Sequence, residues 1–128
     1  MRVIRSSEME FVAASHEEKS APGSLKKVLC VRDDLIPGRV QMINWAMIAV
    51  GNEFRPHYHE DMQEAFVILE GQAEITIGGE KERLSKGDLV LIPERAVHVM
   101  KNIGPTDLHY IALGIARETG GKTVVVEA

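Results

Sequence analysis

His57 and His59 stand one residue apart, Glu64 follows five positions after the second, and His98 lies 34 residues beyond the carboxylate. Side chains on a strand alternate between its faces, so a His-x-His pair presents both imidazoles on one side. A carboxylate and a third imidazole complete the composition of a mixed nitrogen/oxygen site for a divalent transition metal. Any one of these histidines alone reads as a hydrogen-bonded packing residue; the four residues together read as a ligand set.

For that set to meet, the chain must bend in specific places. Glu64 is an odd number of residues from both His57 and His59, so on one continuous strand it would face away from them. The segment Glu60-Asp61-Met62-Gln63 is therefore expected to be a turn or bulge that brings Glu64 back on the next strand. Beyond it, Ala65 to Leu69 is a β-branched and aromatic run that stops at Gly71, and Ala73 to Ile77 leads into Gly78-Gly79, a pair suited to a tight hairpin. Glu80 to Leu84, Leu89 to Ile92, Val97 to Asn102 and Leu108 to Ile115 continue as strands, with Val124 to Val126 a last edge strand. Upstream, Lys27 to Arg32 and Val40 to Val50 read as strands separated by a turn at Pro37-Gly38.

The first 24 residues are different. A strand-like start at Arg2 to Arg5 leads through Met9–Ala14 to a polar segment, His16 to Gly23, that reads as a loop with His16 in solvent. The chain divides into an N-terminal strand/linker segment, residues 1–24, and a β domain, residues 25–128. Many short strands with Gly and Pro punctuation and no helix after residue 24 predict an all-β barrel or sandwich.

Glycine and proline are spaced around the histidines in a fixed order: Gly51, five residues, His57-x-His59, four residues, Glu64, six residues, Gly71. After 15 residues come Gly87, five residues, Pro93, then His98 and, after three more, Asn102. This resembles the two signature motifs of the cupin superfamily, small jelly-roll β-barrels, over Gly51 to Asn102. One specified position departs: Arg95 stands where the motif has glycine. The resemblance implies a single-domain jelly-roll β-barrel with His57, His59, Glu64 and His98 as metal ligands. The ion it implies is Mn, Fe, Ni, Co or Zn, and it also implies homodimers. Four ligands leave two places on a six-coordinate ion open for water, O2 or substrate, the arrangement of a catalytic rather than a closed structural site.

Around this set the neighbours take lesser roles. Phe66 and Ile68 should share the inward face with Glu64, and Met100 with His98. Met42, Asn44, Ala46 and Ile48 form one face of the long strand, and Ile43, Trp45 and Met47 the other; the pattern does not say which lines the interior. His109 reads as a packing residue, with a place in the pocket as the alternative. Together with Tyr110 and Glu53 it is a candidate for proton transfer. Asn102 is expected to hold backbone, Tyr58 to point away from the site, and Arg55 or Arg95 either to be solvated or to bind an anionic group.

Composition narrows the function classes. With 45% hydrophobic and 27% charged residues in 128, the chain can bury a core without cross-links. A net charge of -4 argues against a general affinity for nucleic acid or anionic membrane. Cys30, the sole cysteine, fits a reducing compartment, and with no apolar signal segment after Arg2 and Arg5 a cytoplasmic protein is expected. Relatives by resemblance include dioxygenases, sugar and sugar-acid isomerases, oxalate-degrading enzymes and lyases. The leading expectation is a metal-dependent enzyme acting on a small polar or aromatic metabolite. The alternatives are a non-catalytic module binding a metal or small ligand, or an interaction partner with a vestigial site.

Overall fold

The computed structural model describes residues 1–117 and 122–127. Two antiparallel sheets pack face to face. The strands are β1 (Val12–Ala13), β2 (Leu25–Val31), β3 (Val40–Ile48), β4 (His57–His59), β5 (Met62–Glu70), β6 (Ala73–Ile77), β7 (Glu80–Leu84), β8 (Leu89–Ile92), β9 (His98–Asn102), β10 (Leu108–Ala116) and β11 (Thr123–Val125). One sheet has the order β1-β2-β3-β10-β5-β8 and the other β11-β4-β9-β6-β7. Apart from β1-β2-β3 and the β6–β7 hairpin, neighbours in each sheet are not consecutive strands, so connections cross from sheet to sheet. Among the described residues no strand ladder joins the two sheets. The closed barrel is thus not formed: the layers are held by side chains packed between them rather than by a continuous ring of hydrogen bonds.

Period-two burial sets the core. In β10 buried and half-buried residues alternate without a break, placing Leu108, Tyr110 and Ala112 inward. On β3 the inward face is the one carrying Asn44, Ala46 and Ile48, which settles the ambiguity left by its pattern. Phe66, Ile68, Ile75, Ile92 and Met100 fill the space between the sheets with Phe54. Phe54 and Phe66 meet edge-to-face at 6.3 Å. Truncating a ring as buried as Phe66 costs about 3–5 kcal/mol. The β6–β7 hairpin turns on Gly78 and Gly79 alone, both at positive φ, as Ile77 pairs directly with Glu80.

Three local expectations need correction. Arg2 to Arg5 is not a strand; a single 3-10 turn, Ser6–Glu8, precedes β1. The bend after His59 is shorter than expected, since Met62 and Gln63 already pair with Ala116 and Ile115. Alternating burial from Met62 onward extends the strand further back than its β-branched core suggested. His16 is not solvated: its side chain is 13% exposed and packs on the inner strands.

Candidate metal centre

The ligand set spans both sheets. His57 and His59 face inward from β4, His98 pairs with His57 from the adjacent β9, and Glu64 reaches across from β5 in the opposite sheet. All four residues are buried, and one ligand atom from each lies within 4.8 Å of all the others. Donors on opposite sides of an ion at about 2.1 Å would stand about 4.2 Å apart. Side-chain shifts of about half an ångström, closing the widest separation and opening the 2.7 Å His59–Glu64 contact, would let the cluster surround one.

Hydrogen bonding orients the rings. His57 Nδ1–H donates to the Arg55 carbonyl at 2.7 Å, and His98 Nδ1–H donates to the Ala96 carbonyl at 3.0 Å. A carbonyl only accepts, so each neutral ring carries its proton on Nδ1 and turns an Nε2 lone pair inward. His98 Nε2 is buried with no hydrogen-bond partner and lies 3.3 Å from Glu64 Oε1. With Nε2 unprotonated, these are two acceptors facing each other in a buried site, an arrangement suited to sharing a cation. His59 Nε2 lies 2.7 Å from Glu64 Oε1, and its Nδ1 is 3.0 Å from the Thr123 hydroxyl on β11. A hydroxyl accepts or donates, so this ring keeps a partner in either tautomer.

Protonation agrees with ligation. Burial, reinforced by nearby His16 and His98, drives the His57 imidazole from 6.5 down to about 3. Burial works to raise Glu64, but the hydrogen bond with His59 and the nearby His98 imidazole outweigh it and hold the carboxyl at about 2. At neutral pH His57 is a neutral donor and Glu64 an anion, the states a metal requires.

Beside the ligands lies a cavity of about 60 Å³ whose walls include Phe54, Phe66, Ala46, Tyr110 and Ala112. Burial pushes the Tyr110 phenol above its ordinary range, so it stays protonated. The N-terminal segment closes this cavity in a way the polar sequence did not signal. His16 stacks on His57 with ring centroids 3.9 Å apart. Glu17, 9% exposed, accepts the backbone N–H groups of Ser24 and Arg55 at 3.0 and 3.1 Å. Although burial acts to raise it, the His16 imidazole and these N–H groups hold its carboxyl below the usual range.

Other expected site residues stand elsewhere. His109 faces outward, accepting a hydrogen bond from Trp45 Nε1 at 3.0 Å beside Phe11, so its role is packing. Glu53 is exposed, and its backbone bridges Lys101. Arg55 turns its guanidinium toward Glu127 at 3.7 Å, outside the metal-side cavity. Tyr58, between the two ligands on β4, is half-buried and faces away from them. Arg95 is exposed at φ 66, the one non-glycine residue with positive φ among the described residues. The left-handed turn that the motif glycine would supply is thus kept, and its N–H donates to the His59 carbonyl at 2.7 Å. Gly71 at φ 96 is strained and tight for a side chain: a Cβ would meet the Asp107 carbonyl oxygen at 3.0 Å. Asn102 is the backbone clamp expected of it, donating to the Ile48 and Thr106 carbonyls and accepting from Gly104 N–H.

Comparison with known proteins fits this geometry. The Cupin domain model matches residues 44–114, more than half of the chain. A protein of unassigned function from Methanocaldococcus jannaschii is 29% identical over 86% of this chain and 91% of its own. Quercetin 2,3-dioxygenase from Bacillus subtilis is 38% identical over a shorter stretch, 38% of this chain and 14% of the enzyme. Among solved structures, a predicted oxalate decarboxylase from Thermotoga maritima superposes with a TM-score of 0.78 at 23% identity, covering 90% of this chain and 99% of that one. That likeness supports the jelly-roll arrangement of the two sheets. With its motif spacing, its two-sheet fold and its buried three-histidine, one-carboxylate cluster all in agreement, the chain belongs to the cupin superfamily.

Proposed function

We propose that this cupin is a metal-dependent enzyme acting on a small polar metabolite, with His57, His59, Glu64 and His98 holding one divalent ion of Mn, Fe, Ni, Co or Zn. The observation that carries this reading is the pair of inward acceptors, His98 Nε2 and Glu64 Oε1, buried 3.3 Å apart. Such an ion supplies Lewis acidity and a template for substrate oxygens in its open positions. The protein's share is to hold His57 and His98 in the tautomer that turns Nε2 inward, exclude water with Phe54 and Phe66, and offer the protonated Tyr110 hydroxyl as a donor at the cavity wall. The reactions open to such a site include dioxygenase, isomerase and lyase chemistry, and the ligand set does not choose among them. The cavity of about 60 Å³ beside the ligands favours a small substrate.

The domain that holds the metal begins with β2 at residue 25, with residues 1–24 as an appended segment that covers the site. A homodimer is supported by the outer face of the six-stranded sheet, where Ile43, Trp45, Met47, Ile111 and Leu113 are only half-buried in one chain. We place the protein in the cytoplasm on its single half-buried cysteine, Cys30. No helix among the described residues is long and apolar enough to cross a membrane.

The test is metal content by elemental analysis, read beside turnover of a metabolite panel with and without chelator. His98→Ala should lose the ion and the turnover while keeping the β-sheet circular dichroism. Retention of one ion per chain by both His98→Ala and His57→Ala removes the assignment, and tight ligand binding without turnover identifies a binding module instead.

A further inference from the structure

Two of the ligand imidazoles are held alike, each by a hydrogen bond from Nδ1–H to the carbonyl two residues back. His57 donates to Arg55 at 2.7 Å and His98 to Ala96 at 3.0 Å. The two carbonyl-bearing residues are anchored differently. The Ala96 N–H closes a local turn onto the Pro93 carbonyl at 3.3 Å. The Arg55 N–H instead donates to the side chain of Glu17, 38 residues earlier in the chain, at 3.1 Å. Residues 54–56 lie outside any strand, and Pro56 has no N–H. The Arg55 N–H is therefore the last donor before the ligand that can fix this stretch.

Glu17 is built into this place. Its side chain is 1% exposed, and its other oxygen accepts the Ser24 N–H at 3.0 Å. One carboxylate thus ties the N-terminal segment to the approach to β4, through bonds stronger than those between neutral groups. Close packing leaves it little slack: a Cβ on Gly23 would collide with the Glu53 carbonyl oxygen and lie 2.7 Å from Glu17 Oε1. The adjacent His16 lies nearly flat on the His57 ring, with centroids 3.9 Å apart and 18° between planes. Phe54 meets the same ring edge-to-face at 5.0 Å. The His57 imidazole is held from behind through Arg55 and across one face by His16, and both restraints start from neighbouring residues of one segment.

We propose that Glu17 is a positioning residue of the metal centre: through the Arg55 main chain and the stacked His16 it aims His57 Nε2 at the point where His59, Glu64 and His98 converge. The N-terminal segment then supports the ligand shell as well as covering the cavity. Groups that orient a ligating histidine through its other nitrogen contribute about 10–100-fold to metal affinity. Glu17 acts one hydrogen bond further out, so its share falls at the lower end of that range. The effect on affinity rests on the metal reading above, whereas the restraint on His57 is a property of the metal-free chain.

Exchange of the two Nδ1 protons with solvent, followed by NMR on the metal-free protein and assigned with His57→Gln, tests the restraint without any metal. Glu17→Ala should speed exchange of the His57 proton by about tenfold or more and leave the His98 proton within about twofold, because the turn that anchors Ala96 does not involve Glu17. Glu17→Gln keeps the shape but offers one acceptor in place of two. It should shift the same proton in the same direction by a smaller factor, and it decides the matter if the alanine variant does not fold. Titration with Co(II), by calorimetry and visible absorption, reads the consequence for the metal. Glu17→Ala should bind Co(II) about tenfold more weakly, whereas Asn102→Ala, which lowers stability without touching this relay, should stay within about twofold of the native protein. Equal acceleration of both protons would show that Glu17 acts through overall stability alone, and an unmoved His57 proton would show no restraint; either overturns the proposal. Native Co(II) affinity in Glu17→Ala overturns it as well. Failure of the native protein to take up Co(II) fails the metal reading instead, and leaves the exchange comparison to decide the restraint on His57.

Discussion

Acidifying the metal-free protein should destabilise it through His57, by an amount that follows from its surroundings. Burial and the neighbouring His16 and His98 lower this imidazole from 6.5 to about 3. The unfolded chain therefore takes up a proton at His57 near pH 6.5, while the folded chain refuses one until far lower pH. A group depressed by folding contributes stability that is full above its unfolded value and is lost as pH falls toward its folded value. At about 1.36 kcal/mol per pH unit, the loss between pH 7 and pH 5 amounts to about 2 kcal/mol. Other residues titrate in the same window, so the measurement is a comparison. Urea denaturation of chelator-treated native protein and His57→Gln at both pH values isolates this one group. The stability gap between the two proteins should shift by about 2 kcal/mol in favour of the variant on going to pH 5. A gap that stays constant within about 0.5 kcal/mol would show that the folded protein protonates His57 freely, and the argument that it is held as a neutral donor would fail.

Two further perturbations probe the scaffold. Asn102→Ala removes two donated hydrogen bonds and one accepted bond at a residue only 2% exposed, so it should cost about 2–4 kcal/mol in urea denaturation while one metal ion per chain is still bound. Arg95→Gly relieves a non-glycine residue held at φ 66 and should raise the unfolding free energy by about 1 kcal/mol, after allowance for the extra entropy of glycine in the unfolded chain; a loss of stability would mean that the Arg95 side chain contributes contacts outweighing the strain.

The legible parts of this protein were those written in short-range pattern. Alternation marked most strands, Gly78-Gly79 marked a hairpin, and His-x-His guaranteed that two ligands share a face wherever the strand is placed. Even the clamp role of Asn102 was readable, because an amide close to the Gly104-Pro105 turn has backbone groups to satisfy. Extended alternation across Met62 and Gln63 was hidden because neither is a typical strand residue, and the 3-10 turn near the start because so short a segment carries no period.

His16 and Glu17 were beyond the reach of pattern. A polar, aperiodic stretch reads as solvated, and the stacking of His16 on His57 exists only because Glu17 finds the N–H groups of Ser24 and Arg55 in space. The inward face of β3 was equally undecidable, since both faces are mostly apolar and only packing against the second sheet turns Asn44 toward the cavity. Residue type and spacing by themselves determined which four side chains suit a metal and that they come from more than one strand. The tertiary structure alone decided that two sheets bring those strands to one point, which ring nitrogen each histidine offers, and what else borders the ion, because these depend on contacts between residues far apart in the chain.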